Sequence, residues 1–493
     1  MLNNSIENII LYALEKKLLN PCDINYSVNR ILSYINIDSY NFNITNGNSS
    51  KFIESIDFLF NFLYPNSKFN YEKDIFESEI INCLLPRPSE FINTFNNLYK
   101  KSPKSATSYF YNFSINTNYI KKKLISKNIK WKTNSIYGTI ELSINLAKPE
   151  KDPKEIELMQ KRPSNNYPLC FLCPQNEGYK GHVAHPARAI LRTIPVCLNN
   201  EKWHFQYSPY SYFNNHCIIF NDIHSPMNIN KETFIRLFDF VDKFPHYFIG
   251  SNADLPIVGG SMLSHDHYQG GEYIFPIDKA ISFYKKTLKL DNKITVELLN
   301  WPLSSIKLTG ENKDSIINFG YKIHNAWKNY NNKSLNIISK SDNIFHNTTT
   351  PIVRKNKNEY SFILILRNNR CDDLYPDGIF HPHKEIHPVK KENIGLIEAM
   401  GVAILPKRLK KFKDDLLKSI KSNSLNSFKK ENTIYLNLIN EFPVTSNDFI
   451  TNYNDYFNKI VSKFFINGLE HCGVFKQNDN DKNEFILFIN SIL

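Results

Sequence analysis

The segment from Gly259 to Gly271 carries the side chains whose types and spacing are best suited to chemistry. It reads Gly-Gly-Ser-Met-Leu-Ser-His265-Asp-His267-Tyr-Gln269-Gly-Gly. Extended backbone places every second residue on the same face, so His265, His267 and Gln269 are predicted to lie side by side. Glycine pairs at both ends of the segment allow a ligand or another backbone to approach closely. Three polar side chains on one face, bracketed by glycine, favour a functional site over an ordinary strand.

An imidazole on such a strand is suited to nucleophilic chemistry at phosphorus. A neutral ring nitrogen can attack a phosphorus atom and form a covalent phosphoramidate, which divides one transfer into two displacements. The ring has to be held in one tautomer by a partner on its other nitrogen. A backbone carbonyl and a carboxylate are both candidates for that partner.

Gln269 distinguishes two reactions that a nucleophilic histidine can support. Its neutral amide can donate a hydrogen bond to a phosphoryl oxygen, but it has no proton to transfer. A third histidine in this position could instead protonate a leaving group or manage water, which suits hydrolysis. The amide therefore favours group transfer, with His267 as the nucleophile.

Two cysteines and two histidines have the composition of a structural zinc site. Cys170-Phe-Leu-Cys173 has the spacing of two metal ligands, but alone it is half of a site. His224 follows an apolar strand-like run, and His265 is the first histidine of the segment described above. Together they would form a Cys₂His₂ site that anchors the strand and leaves His267 free for chemistry. The alternative is a pair of buried, inert thiols.

Two further groups of residues remain open as functional candidates. The stretch 379–387 contains His381, His383 and His387, and it is compatible with a second metal site, a contact to substrate phosphate or a solvent-exposed turn. Arg188 lies in a loop close to two other histidines. Arginine suits phosphate recognition, which makes Arg188 a candidate for substrate binding, although loop arginines are most often solvated.

Regular elements have to position these side chains, and the hydrophobic pattern divides the chain into three parts. Residues 1–160 are predicted to be mainly helical, with a charged linker at 148–155. Residues 161–290 read as short strands around one helix at 231–244. In residues 291–493 helical patterns alternate with strands, and helices are expected near the end. The expected fold class is α+β.

Composition is typical of a globular protein that handles anionic partners. The chain has 493 residues, 42% of them hydrophobic, and a formal net charge of +12. Positive charge favours anionic ligands, but the lysines are dispersed and form no long basic arm. The first residues lack the pattern of a signal peptide, and no apolar run is long enough for a membrane span. We expect a cytoplasmic protein with reduced cysteines, and neither a membrane nor a nucleic acid as partner.

The stretch 251–271 resembles the active-site signature of type 2 galactose-1-phosphate uridylyltransferases, which belong to the histidine-triad superfamily. It reads Ser-Asn-Ala-Asp-Leu-Pro-Ile-Val-Gly-Gly-Ser-Met-Leu-Ser-His-Asp-His-Tyr-Gln-Gly-Gly. This long signature is highly specific. Shorter segments that resemble the same family, and that serve as support only, lie at 85–89, 145–155, 176–179, 185–188, 205–209 and 391–398.

The resemblance implies a ping-pong reaction between two sugar phosphates. UDP-glucose would uridylylate His267 and release glucose 1-phosphate, and galactose 1-phosphate would then accept the uridylyl group to give UDP-galactose. By position, His267 matches the family's nucleophile and Gln269 its phosphate-stabilising glutamine. Asn252 matches an asparagine near the nucleotide phosphates, and Glu398 matches a contact to a sugar hydroxyl.

The resemblance also implies an architecture and a cofactor. Residues 161–290 and 291–493 would form two histidine-triad-like units, each an antiparallel sheet with packed helices. The first unit would carry the active site, and the second would contribute to sugar binding, within one chain or across a homodimer interface. The four ligand candidates named above resemble the zinc ligands of type 1 enzymes, so a structural zinc ion is expected. Asp266 and the pair Tyr207-Ser208 depart from the type 1 pattern, which puts the nucleoside contacts in doubt.

Two other functions are compatible with parts of the sequence. A histidine-triad nucleotide phosphorylase or hydrolase would keep the fold, but Gln269 disfavours it. A non-enzymatic, basic, zinc-containing nucleic-acid-binding protein would need a concentrated basic face with exposed aromatic side chains. The dispersed lysines disfavour that alternative.

Overall fold

The computed structural model describes most of the chain and leaves eight gaps, counting the first residue. The predicted charged linker at 148–155 lies outside the described residues, and so do the predicted borders at 160/161 and 290/291. The described residues are 2–41, 47–67, 69–146, 158–159, 166–260, 262–288, 293–444 and 448–493.

The N-terminal region is helical, as the sequence predicts, and it ends in a hairpin of two strands. Ile6, Ile9 and Ile10 follow one another at helical spacing and are fully buried, because they form the apolar stripe of the first helix. The elements are α1 (Leu2–Glu15), α2 (Ile24–Ile35), α3 (Phe52–Leu63), α4 (Asn70–Asn82), α5 (Pro88–Lys101), α6 (Pro103–Asn116), α7 (Lys122–Ile125), β1 (Ile129–Ser135) and β2 (Gly138–Ile144).

The central part of the chain supplies the strands of a large sheet and two long helices. The strands of its first half are β3 (Ile194–Leu198), β4 (Glu201–Tyr207), β5 (Cys217–Asn221), β6 (Phe248–Gly250) and β7 (His267–Gly271), with helix α8 (Lys231–Lys243) between β5 and β6. The second half contributes β8 (Ser282–Leu288), β9 (Ile294–Leu299), β10 (Ser305–Gly310), helix α9 (Lys313–Lys328), the short β11 (Lys340–Ser341) and β12 (Ile344–Phe345), β13 (Asn347–Asn356) and β14 (Glu359–Asn368).

The two halves share one continuous sheet. Among the described residues it has ten strands in the order β3-β4-β5-β7-β6-β13-β14-β10-β9-β8. The halves meet where β6 pairs antiparallel with β13, and Ile249 lies opposite Val353. Helix α8 packs on β3, β6 and β13, whereas α9 packs on β10, β13 and β14. The predicted α+β class with a helical N-terminal region and antiparallel sheets is therefore confirmed, and the two halves of the large sheet are joined edge to edge.

The last part of the chain covers the face of the large sheet that lies opposite α8 and α9, except for its final helix, which packs on the same side as α9. Its strand β15 (Val402–Leu405) pairs parallel with β2 and completes a small three-stranded sheet among the described residues. The helices of this part are α10 (Leu396–Ala399), α11 (Arg408–Lys421), α12 (Leu425–Glu431), α13 (Leu436–Asn440), α14 (Tyr453–Cys472) and α15 (Asp479–Asn490).

Both faces of the large sheet are buried, and β14 shows why. Phe362 and Leu364 belong to a core formed with α8, α9 and the N-terminal helices. Ile363 and Ile365 belong to a second core, formed with the small sheet and the C-terminal helices. Successive side chains of a strand point to opposite faces, so a strand covered on both sides has to be apolar throughout. Within the described ranges, no helix combines the length and the hydropathy that crossing a membrane requires.

Candidate active site

A cavity of about 720 Å³ lies between strand β7 and the segment 390–407. His267, Gln269 and Asn252 line it from the first half of the sheet, and Glu398 lines it from the opposite side. The structure thus brings together four residues that the sequence analysis selected, three of them between positions 252 and 269 and the fourth, Glu398, far away in the sequence. The same wall carries Lys390, which the sequence analysis did not select.

The ring of His267 is held in one tautomer. Its Nδ1 lies 2.8 Å from the backbone oxygen of His265. A carbonyl oxygen can only accept, so Nδ1 carries the proton and the lone pair of the neutral ring is on Nε2. Burial lowers the pKa of His267 to about 4, and the hydrogen bond to His265 only partly offsets that shift. His267 is therefore a neutral imidazole at physiological pH, and its partner is a carbonyl, not a carboxylate.

Gln269 is oriented by His216, a residue that the sequence analysis missed. The Nε2 atom of His216 lies 3.1 Å from Oε1 of Gln269. An amide oxygen accepts, so His216 donates, and Gln269 offers its NH₂ group to the cavity. Burial lowers the pKa of His216 to about 4, which keeps this ring neutral. His216 directly precedes β5 and is close because Ile218 pairs with Gln269 across β5 and β7, a contact that no local sequence signal announces.

Asn252 connects the two sides of the cavity. Its Oδ1 accepts the backbone N–H of Leu396, the first residue of α10, at 2.8 Å. A Cβ atom at Gly260 would lie 2.8 Å from Nδ2 of Asn252, and one at Gly395 would lie 3.3 Å from its Oδ1. The two glycines therefore allow both backbone segments to close around the amide. The NH₂ group of Asn252 is left to face a ligand.

Glu398 forms a buried ion pair with Lys390. The Nζ and Oε1 atoms are 2.7 Å apart, and the two side chains are 7% and 9% exposed. The other carboxylate oxygen accepts the backbone N–H of Gly395 at 3.2 Å, which fixes the first turn of α10. Burying two charges is costly, so a pair of this kind in a cavity wall is a candidate for binding. Lys390 was missed because a Lys-Lys doublet is usually a solvated surface.

Arg188 is not brought to this cavity. Its guanidinium lies over the ring of Tyr119 at 5.7 Å, and Arg188 is absent from the described residues that line the cavity. The neighbouring Arg192 donates to the backbone oxygens of Pro86 and Leu191, which is a structural role. The contact between Arg188 and substrate phosphate stays a prediction.

Cys170, Cys173, His224 and His265 meet at one point. The sulfur atoms are 3.5 Å apart, and each lies 3.2 Å from an Nδ1 atom, that of His265 for Cys170 and that of His224 for Cys173. A tetrahedral zinc ion with bonds of about 2.0 to 2.3 Å requires separations of about 3.3 to 3.8 Å, close to these. The Nε2 atom of His265 donates to the backbone oxygen of Asn221, so its Nδ1 is free to ligate. The four residues form a group that could hold a metal ion.

The metal group and the nucleophile are adjacent through the backbone. The side chain of His265 faces the cysteines, whereas its carbonyl oxygen holds the ring of His267. Strand β7 begins only at His267, and the backbone of Asp266 bonds to Ser225 in a loop and to Asn221 at the end of β5. His267 and Gln269 therefore lie on the same face of the strand, as the sequence predicts. His265 precedes the strand, and its side chain does not share that face.

The stretch 379–387 forms a separate cluster beside α14. The rings of His383 and His471 stack at 4.1 Å, and the backbone N–H of His383 donates to Nδ1 of His471. His383, Glu385 and His471 are close enough to be considered as ligands of a metal ion. However, an Nδ1 that accepts a hydrogen bond leaves the proton of the neutral ring on Nε2. That nitrogen lies 3.6 Å from a carboxylate oxygen of Glu385, and a second metal site here stays a prediction.

Comparisons with known proteins agree over nearly the whole chain. The models of the N-terminal and C-terminal domains of galactose-1-phosphate uridyl transferase match residues 28–226 and 240–432. A galactose-1-phosphate uridylyltransferase of Clostridium acetobutylicum is 45% identical, over 99% of this chain and 100% of the relative. One of Streptococcus mutans is 42% identical, over 99% of both chains. The chain belongs to the galactose-1-phosphate uridyl transferase family.

Two solved structures are similar in part. Yeast Ap4A phosphorylase Apa2 is 10% identical with a TM-score of 0.32, over 62% of this chain and 94% of that one. A DUF4931 family protein from Bacillus cereus is 15% identical with a TM-score of 0.24, over 32% of this chain and 78% of that one. Both scores are too low for a comparison of sites. As a member of the uridyl transferase family the chain is an enzyme, which sets aside the non-enzymatic alternative.

Proposed function

We propose that the protein transfers a uridylyl group from UDP-glucose to galactose 1-phosphate through a covalent intermediate on His267. The products are glucose 1-phosphate and UDP-galactose. The observation that carries the proposal is the hydrogen bond from Nδ1 of His267 to the carbonyl of His265, because it leaves the lone pair on Nε2 at a cavity. The names of the full-length relatives support the choice of galactose 1-phosphate as acceptor.

In the first half-reaction, Nε2 of His267 attacks the α-phosphorus of UDP-glucose. A nitrogen–phosphorus bond forms while the bond to the bridging oxygen breaks, and glucose 1-phosphate leaves with the electron pair. The ring keeps its Nδ1 proton and becomes positively charged. The carbonyl of His265 stabilises this charge through a hydrogen bond that strengthens as the ring becomes cationic.

In the second half-reaction, a phosphate oxygen of galactose 1-phosphate attacks the same phosphorus, and Nε2 departs with its electron pair as neutral imidazole. The amides of Gln269 and Asn252 donate to non-bridging oxygens during both displacements. Neither amide can take a proton from water, so transfer is favoured over hydrolysis. Glu398 accepts a hydrogen bond from a hydroxyl group of the hexose.

We further propose that zinc occupies the group of Cys170, Cys173, His224 and His265. There a zinc ion supplies rigidity, because it fixes the loops that carry its ligands. His265 then presents its backbone oxygen to His267 in a constant direction. Three features stay predictions: a homodimer that shares the hexose site, a cytoplasmic location, and the division of the chain into three parts at 160/161 and 290/291.

Exchange kinetics test the proposed function. With UDP-glucose and labelled glucose 1-phosphate, and without galactose 1-phosphate, we expect label to enter UDP-glucose at a rate comparable to turnover. Initial rates with both substrates should give parallel double-reciprocal lines, as a ping-pong reaction requires. Formation of UDP-galactose with intersecting lines and no exchange would contradict the covalent intermediate.

A further inference from the structure

Charge is distributed unevenly around the cavity beside His267. The described lining residues from the first half of the sheet carry neutral side chains. The charged lining residues all belong to the segment 390–407, and they are Lys390, Glu392, Glu398 and Lys407. A sugar nucleotide and a hexose 1-phosphate both bring negative phosphate groups. The opposing positive charge therefore has to come from the segment 390–407.

Lys390 is the better placed of the two lysines. Its side chain is 7% exposed, whereas Lys407 is exposed at the rim. An ammonium that binds phosphate inside a cavity is shielded from water and acts in a lower dielectric, which makes the interaction stronger. Lys407 at the rim is suited to attracting an anion, but not to holding it.

A second buried cation lies behind the same wall. Arg367 is 1% exposed, and one of its nitrogens donates to the backbone oxygen of Ile394, between two lining residues. Its Nε and Nη1 atoms have no hydrogen-bond partner within the described part of the chain. Glu398 therefore lies close to two buried cations, Lys390 at 2.7 Å and Arg367 farther away. Lys390 also lies 3.8 Å from a carboxylate oxygen of Glu392, but Glu392 pairs with Arg408 at 3.3 Å as well. With Lys407 at the rim, the cations around the wall outnumber these two carboxylates, so the wall keeps an excess of positive charge.

We propose that Lys390 binds the phosphate group that stays on the hexose, in UDP-glucose and in both hexose 1-phosphates. This assignment rests on the proposed uridylyl transfer and adds a residue to it. The ammonium of Lys390 has three donors, and the pair with Glu398 leaves donors for phosphate oxygens. Negative charge grows on that phosphate when its bond to the α-phosphorus breaks, so Lys390 stabilises the leaving group. Glu398 is in addition a positioning residue for Lys390.

A comparison of two uridylyl donors tests this assignment. UDP-glucose has a leaving group with a phosphate, whereas uridine 5′-phosphorimidazolate releases neutral imidazole. For Lys390→Met we expect uridylylation of His267 by UDP-glucose to slow about 10- to 100-fold, the range for a hydrogen bond to a charged group. Uridylylation by the imidazolate should stay within about threefold of wild type. Lys390→Arg should recover part of the rate with UDP-glucose, and the exposed neighbour Lys391→Met is the matched control.

The second half-reaction, in which galactose 1-phosphate accepts the uridylyl group, tests the role of Lys390 independently. When the intermediate has been formed with the imidazolate, Lys390→Met should require about 10- to 100-fold more galactose 1-phosphate for half-maximal discharge. Because this variant leaves the Glu398 carboxylate buried without its partner, the double variant Lys390→Met/Glu398→Gln is measured beside it. Glu398→Gln alone also alters the contact to the hexose hydroxyl, so the double variant is compared with that single variant. Relative to it, we expect the same additional slowing with UDP-glucose only, and melting curves confirm that the variants are folded.

The outcomes separate the role of Lys390 from the proposed function. If Lys390→Met is slowed equally with both donors, or reacts with UDP-glucose at the wild-type rate, the role of Lys390 is overturned. In either case turnover by the wild-type protein still supports uridylyl transfer. If the wild-type protein is uridylylated by neither donor, the proposed function fails and the role of Lys390 falls with it.

Discussion

At the scale of single residues, the direction of two hydrogen bonds determines the chemistry of the site. The first runs from Nδ1 of His267 to the carbonyl of His265 and leaves a nucleophilic lone pair on Nε2. The second runs from His216 to the amide oxygen of Gln269 and leaves that residue a donor and not an acid. Both directions follow from the fact that a carbonyl oxygen only accepts.

Replacement of the nucleophile should be rescued by a ready-made imidazole. We expect His267→Gly to lose transfer from UDP-glucose by at least about 1000-fold, since no other group forms the intermediate. The same variant should convert uridine 5′-phosphorimidazolate and galactose 1-phosphate into UDP-galactose and imidazole, because the space left by the ring accepts the imidazole of the donor. Product formation is followed by chromatography. A folded variant that gives no UDP-galactose from this donor would count against His267.

A histidine in place of Gln269 should change the fate of the uridylyl group. We expect Gln269→His to transfer about 10-fold more slowly and to release more UMP, because an imidazole can manage the proton of a water molecule. The ratio of UMP to UDP-galactose is measured at a fixed concentration of galactose 1-phosphate. Gln269→Glu is a useful companion, since it keeps the shape of the side chain but cannot donate to a phosphoryl oxygen. An unchanged ratio in Gln269→His would show that the neutral amide is not what disfavours hydrolysis.

At the scale of elements, strand β7 connects the metal group to the nucleophile. His265 lies just before the strand with its side chain toward Cys170 and Cys173, and His267 is the first residue of the strand. Pairing with β5 and β6 fixes the rest of the strand. If the residues of the metal group become disordered, His265 should shift, and His267, only two residues away, should lose its fixed orientation.

Loss of a metal ligand should lower both stability and turnover. We expect the purified protein to contain about one zinc ion per chain, and Cys173→Ser to lose most of it. Melting temperature should fall, and kcat should fall by at least about 10-fold with a smaller change in KM, because the group that fixes the His265 carbonyl is loosened. Metal analysis, melting curves and kinetics measure these effects. The exposed Cys197→Ser should behave like wild type, and a wild-type protein without zinc would contradict the assignment.

At the scale of the whole molecule, buried histidines make stability depend on pH. His324 in α9 is 3% exposed, and its Nδ1 lies 2.9 Å from the hydroxyl of Thr349. Burial lowers the pKa of His324 from 6.5 to about 4, with Asp254 opposing and Lys328 adding to the shift. Below about pH 6.5 the unfolded chain binds a proton that the folded protein does not, so stability falls as pH drops towards 4.

The expected contribution of His324 is on the order of 3 kcal/mol between neutral pH and pH 4. Urea unfolding at about pH 7.5 and pH 5 measures it in wild type and in His324→Asn, which keeps a polar group near Thr349 but does not titrate. We expect the free energy of unfolding to fall more steeply with acid in wild type than in the variant. Equal slopes in both proteins would show that His324 does not contribute.

Short-range features of the fold and site were predictable from the sequence, and long-range pairings were not. His265, His267 and Gln269 lie within five residues of one another, and Cys170 and Cys173 lie within four. Their residue types and spacing were therefore enough to predict roles for them. His216 reaches Gln269 only through strand pairing, and Lys390 reaches the cavity only because the last part of the chain packs on the sheet. The joining of the two halves into one sheet also depends on the distant pairing of β6 with β13. Arg188 lies over Tyr119 and does not line the cavity, so its contact with substrate phosphate stays a prediction.

The mass of the protein after incubation with UDP-glucose alone tests the central claim most directly. We predict a gain of one uridylyl group per chain, located in the peptide that contains His267, and its loss when galactose 1-phosphate is added. His267→Asn should show no gain under the same conditions. An unmodified wild-type chain that still forms UDP-galactose, or a uridylyl group on another residue, would contradict the account.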